Sequence, residues 1–86
     1  MSNLIETRVR DVVCRLFLDG NTAFPLDANM SLIESGICDS MGLVTLATAI
    51  EKEFPGVRIQ DQDITHEAMG SLEAITQLLR ARGVDE

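Results

Sequence analysis

Three stretches of this chain repeat their apolar residues at steps of three and four, and none alternates long enough to build a sheet. The first covers residues 4–18, where Leu4, Ile5, Val9, Val12, Val13, Leu16 and Phe17 form a stripe. Glu6, Arg8, Arg10 and Asp11 lie off it. The second runs from Ser40 to Phe54, with Leu43, Leu46, Ala47, Ile50 and Phe54 inward. Met41, Val44, Thr45, Thr48, Glu51 and Lys52 take its other side. The third follows Ser71 and turns Leu72, Ile75, Leu78 and Leu79 to one face. Val57-Arg58-Ile59-Gln60 does alternate, but it is short and solitary. The apolar inventory agrees with helices. Its only aromatics are Phe17, Phe24 and Phe54, so the core must be Leu, Ile, Val, Met and Ala, whereas sheets favour aromatic and β-branched residues. Hydrophobic residues make up 45% of the 86, enough for one core and too many for a disordered chain. We therefore expect an all-α fold in a single domain spanning residues 1–86.

The punctuation between these stretches gives the architecture. Asn3 and Glu6 have capping-box spacing ahead of the first helix, and Gly20 stops it. Pro55-Gly56 ends the second helix, since proline lacks the donor and clashes with the preceding turn. Thr65 is placed to cap a short helical turn with Met69 inward. Ser71 caps the last helix, Arg80 and Arg82 suit its negative pole, and Gly83 closes it. Residues 19–38 form a long connection, which in so small a domain carries its own packing or a function. Phe24, Leu26, Met30, Leu32 and Ile33 would anchor it across the helices, and Ser31 with Glu34 would cap one turn within it. The sum is three principal helices and one short one around a long first loop.

Charge and cysteine usage remove several classes of function. Fourteen acids against seven bases leave a net charge of −7, which disfavours nucleic acid and anionic membranes as partners. It suits a partner with a basic patch. Cys14 and Cys38 have no zinc spacing; Cys14 reads as a small core residue and Cys38 as a half-buried loop thiol. His66 is the single histidine, so neither a Cys/His metal cluster nor a nucleophile with its base is visible, and His66 reads as solvated. An EF-hand counted from Asp61 would put Gly at its sixth position and Glu at its twelfth, where the chain has His66 and Leu72. No secretory leader and no stretch of bilayer-spanning length is present, so a soluble cytoplasmic monomer with reduced thiols is expected.

The chemistry-bearing motif is Gly36-Ile37-Cys38-Asp39-Ser40-Met41. A glycine turn delivers the chain to the second helix, Asp39 takes the N-cap, and Ser40 falls in the first helical turn. Free N–H groups and the positive end of the dipole favour a phosphate ester there. Asp-Ser at a helix start is also ordinary capping chemistry, so its surroundings carry the weight. Ahead of it stands Leu32-Ile33-Glu34-Ser35-Gly36, and the helix after it ends Ile50-Glu51-Lys52-Glu53-Phe54. Ile59-Gln60-Asp61-Gln62-Asp63-Ile64-Thr65 and Ser71-Leu72-Glu73-Ala74-Ile75 follow in order. With these segments nearly the whole chain resembles the acyl and peptidyl carrier protein family, of the stand-alone type.

That resemblance implies a four-helix bundle of acyl-carrier-protein type and no catalysis by the protein itself. It implies that Ser40, flanked by Asp39, is the attachment site for 4′-phosphopantetheine, whose thiol holds acyl or aminoacyl intermediates as thioesters. The implied partners are a phosphopantetheinyl transferase, a cargo-loading ligase or acyltransferase, and a downstream synthase or transferase. Met41, Val44, Thr48 and Glu51 are the expected partner-binding residues. The second helix departs from the acidic docking face common among fatty-acid carriers, because its outward middle is Gly42, Thr45 and Thr48 and Lys52 stands where an acid is frequent. Asp39-Ser40-Met41-Gly42 is similar to carriers of amino acids such as the D-alanyl carrier proteins, and residues 61–65 resemble carriers of specialised pathways. A dedicated biosynthetic carrier is the reading this supports; the alternative is a carrier-fold interaction or regulatory module that is never modified.

Overall fold

The computed structural model describes residues 4–20 and 27–84. The Asn3 cap and the Phe24 and Leu26 anchors lie outside the described residues. Four α-helices follow in order: α1 (Leu4–Phe17), α2 (Ser40–Glu53), the short α3 (His66–Met69) and α4 (Leu72–Ala81). No strand occurs among the described residues, and none of their helices is long and apolar enough to cross a membrane. The expected all-α, four-helix architecture is the one observed.

Helix α1 packs against both α2 and α4, and α3 packs on α4. Ile5, Val9, Val12, Val13 and Cys14 of α1 meet Leu43, Leu46, Ala47 and Ile50 of α2 and Leu72, Ile75 and Leu79 of α4 in one apolar core. Cys14 is a small core residue, as expected. Three members of the α1 stripe are not: Leu4 is 56% exposed, Leu16 is 40% exposed and Phe17 is half-buried. Two helical neighbours cover only part of the arc spanned by seven apolar residues, so the side chains at its edges stay wet. In α4, Leu78 is only half-buried and Thr76 is buried in its place. The Thr76 hydroxyl donates to the Leu72 carbonyl at 2.7 Å, which satisfies it without a partner outside the helix.

Local sequence sets the helix ends. The N–H groups of Leu18 and Gly20 both donate to the Cys14 carbonyl, at 3.0 and 2.8 Å. The left-handed turn that makes this geometry begins at Asp19, with φ 52°, one residue ahead of the expected glycine. Phe54 is the C-cap of α2 and Gly56 follows with φ 98°. Thr65 caps α3 through Ala68 N–H and Ser71 caps α4 through Ala74 N–H, as their spacing predicts. Met69 is fully buried.

The second half of the long connection is stitched to the bundle. Leu32 is fully buried, and its N–H donates to the Gly70 carbonyl at 2.7 Å. Its own carbonyl accepts Cys38 N–H at 3.1 Å. Ser31 Oγ accepts Glu34 N–H at 3.1 Å, closing the turn its spacing predicted. His66 is exposed, but its Nε2 lies 2.9 Å from the Ser31 hydroxyl, so the short helix and the loop are joined there too. These bonds carry the loop across the α3–α4 joint and hand it to the start of α2.

One element had no sequence signal that we read: a 3-10 turn at Asp61–Asp63. Asp63 Oδ2 accepts Gln60 N–H at 3.0 Å and an Arg82 guanidinium N–H at 2.7 Å, and Arg82 also donates to the Arg58 carbonyl at 2.7 Å. Arg82 thus does more than face a helix dipole. It ties the end of α4 to the segment after α2.

Candidate functional site

Asp39 and Ser40 stand where the sequence placed them. Asp39 is the N-cap of α2 in extended conformation (φ −109°, ψ −173°), and its Oδ1 accepts Gly42 N–H at 2.7 Å. Its backbone carbonyl accepts Leu43 N–H at 3.2 Å, the first bond of the helix. Ser40 is the first helical residue, and it is exposed. A helix start leaves its first N–H groups without intrahelical partners; Gly42's is taken by the cap, and the residues before it, Ser40 and Met41, are exposed. An exposed serine at the positive pole of a three-to-four-turn helix fits a phosphate ester.

The approach to Ser40 is fixed from the other side. Gly36 adopts φ 83° and donates to the Ile33 carbonyl at 3.0 Å, which turns the chain toward α2. Cys38 is 8% exposed, more deeply placed than a half-buried thiol. Burial raises its pKa, and the neighbouring Asp39 carboxylate raises it further. The thiol is held protonated, which makes it a packing group rather than a nucleophile.

Around Ser40 the surface is mixed. Met41 is 78% exposed and Val44 52% exposed, and Thr45 and Thr48 are exposed beyond them. The Thr48 hydroxyl donates to the Val44 carbonyl at 3.2 Å. Glu51 is less exposed than that group: it is half-buried, and its Oε2 accepts Ile59 N–H at 2.7 Å. Ser40 also borders a shallow cleft of about 530 Å³, walled by Phe17, Ile33, Ile37 and Cys38.

Sequence reasoning missed that cleft and the residue that shapes it. A Cβ on Gly42 would lie 2.9 Å from Cys38 Cβ and 3.3 Å from both Asp39 Oδ1 and Phe17 Cε1. The signal was available: a glycine inside a helix costs about 1 kcal/mol relative to alanine, so its presence asks for a close approach.

The model of the phosphopantetheine attachment site family matches residues 7–79. No curated protein and no solved structure is similar enough to this chain to count as a match. With an all-helical bundle, an exposed serine at a capped helix start and a family match over most of its length, the chain belongs to the phosphopantetheine attachment family, non-catalytic carriers that hold 4′-phosphopantetheine covalently.

Proposed function

We propose that Ser40 carries the 4′-phosphopantetheine and that the protein presents acyl or aminoacyl thioesters to the enzymes of a dedicated biosynthetic pathway. The observation that carries this reading is the exposed Ser40 hydroxyl at the first position of α2, directly after the Asp39 cap and inside the matched span. When bound, the group supplies a thiol on a long tether. The protein's own residues bind, orient and present it. Tethering lets one carrier serve several active sites at high effective concentration.

The partners are a phosphopantetheinyl transferase, a loading ligase or acyltransferase and a downstream synthase or transferase. Met41 and Val44 supply apolar docking contacts beside Ser40, and Thr48 extends that face. Glu51 is the acidic residue of that face, with one carboxylate oxygen already engaged by Ile59 N–H. The free, buried cysteines Cys14 and Cys38 support a reducing, cytoplasmic setting.

Intact mass after incubation with coenzyme A and a broad-specificity phosphopantetheinyl transferase tests the reading. The wild-type chain gains one phosphopantetheine, and Ser40→Ala gains none. A folded wild-type chain that gains nothing, with its native host's transferase as well, would be the unmodified interaction module instead.

A further inference from the structure

We propose that Phe17, Ile33 and Ile37 form a resting site for the neutral pantetheine arm, which lies folded along the protein instead of extending into solvent. The inference rests on Ser40 as the attachment point. The cleft of about 530 Å³ has Ser40 itself on its rim, so a group on the Ser40 oxygen starts at its edge. Its walls come from three places in the chain: the last residue of α1, the turn that follows Leu32, and the segment entering α2.

Three features select the occupant. First, Phe17, Ile33 and Ile37 are large apolar side chains left half-exposed beside an exposed hydroxyl, and covering them removes apolar surface from water at about 25 cal/mol per Å². The part of the arm next to its phosphate is a branched, gem-dimethyl unit of matching character. Second, among the described residues the cleft has one acidic side chain and no basic one: Asp39, which already accepts Gly42 N–H. A neutral amide chain is compatible with that wall, whereas a carboxylate is repelled. Third, the absent side chain at Gly42 is what allows the start of α2 to sit against the Phe17 ring, with 3.3 Å from its Cε1 to where a Cβ would be. The groove between α1 and α2 differs, since Arg15, Lys52 and Glu53 line it and give it charged walls.

The test uses the full chain converted to its holo form with coenzyme A labelled with ¹³C in the gem-dimethyl group, conversion being verified by mass. We expect nuclear Overhauser effects from the labelled methyls to the Ile33 and Ile37 side chains, and an upfield shift of at least one methyl by the Phe17 ring. In Phe17→Leu, which keeps an apolar wall, the upfield shift disappears while the contacts to Ile33 and Ile37 remain. In Ile37→Asn the contacts weaken and both methyls move toward their positions in free coenzyme A. Verified holo-protein whose methyls already resonate as in free coenzyme A, with no contacts to the protein, overturns the resting site and leaves Ser40 attachment intact. A folded chain that gains no mass overturns the Ser40 reading, and the resting site with it.

Discussion

The starts of α2 and α4 are built by the same local chemistry and put to opposite uses. In each, an extended N-cap side chain accepts the N–H three residues on: Asp39 from Gly42 at 2.7 Å, Ser71 from Ala74 at 3.1 Å. At α4 the next residue is Leu72, fully buried, and the joint before it is Gly70, where a Cβ would collide with the His66 carbonyl oxygen. At α2 the next residues are the exposed Ser40 and Met41. A cap with its free N–H groups and dipole is therefore common property. What sets the proposed attachment serine apart is an exposed first turn, with the exposed, apolar Met41 beside it.

The strongest way to break this comparison is to exchange the two serines' fates. Ser40→Ala abolishes phosphopantetheine transfer completely, whereas Ser71→Ala leaves transfer intact, both read by intact mass. Transfer to Ser40→Ala would end the comparison, because some other hydroxyl would then be the acceptor.

Packing gives the next largest contrast. Leu72→Ala costs about 2–5 kcal/mol in denaturant unfolding, through lost burial and the cavity left behind. Met41→Ala changes stability by less than about 0.5 kcal/mol, since its side chain is mostly solvated, and weakens partner turnover instead. Gly70→Ala belongs with the first of these, because its Cβ has no room against the backbone of α3.

The caps should behave alike where the turns after them do not. Asp39→Ala and Ser71→Ala each lower stability by about 1 kcal/mol, while Asp39→Asn, which can still accept Gly42 N–H, retains most of it. Unequal losses, measured by thermal or urea unfolding, would show that charge or tertiary contacts add to one cap.

The smallest effect concerns the Arg82 tie. The guanidinium of Arg82 and then Gln60 N–H hold the Asp63 carboxyl below its usual 3.8. A depressed folded value contributes stability that is present above the unfolded value and is lost as pH falls through the folded one. Acid unfolding below about pH 4 therefore includes this group, and Arg82→Gln makes that part of the curve shallower. Identical acid profiles for the two proteins would assign the loss to other carboxylates.

Much of this molecule was legible because short-range rules decide it. The three periodic stretches, the Asp39, Thr65 and Ser71 caps and the exposed Ser40 follow from side-chain spacing and hydrogen-bonding chemistry within a few residues. Other features did not follow from such rules. Leu16 and Leu4 looked identical in pattern to Val12 and Val9, yet only the positions of α2 and α4 determine which members of the stripe are covered. The 3-10 turn at Asp61–Asp63 closes on its own Gln60–Asp63 bonds, but its tie to Arg82, nineteen residues beyond Asp63, is a long-range contact.

By itself, then, the sequence determined the helices, their ends and an Asp-Ser pair at the head of the second one, since each rests on contacts between near neighbours in the chain. Only the tertiary structure decided that Leu32 plugs the bundle through Gly70, that Thr76 is buried, and that Phe17 meets Ile33 and Ile37 beside Ser40. Those depend on how separate segments close over a shared core, and burial is a property of the whole packed arrangement, which no local spacing encodes.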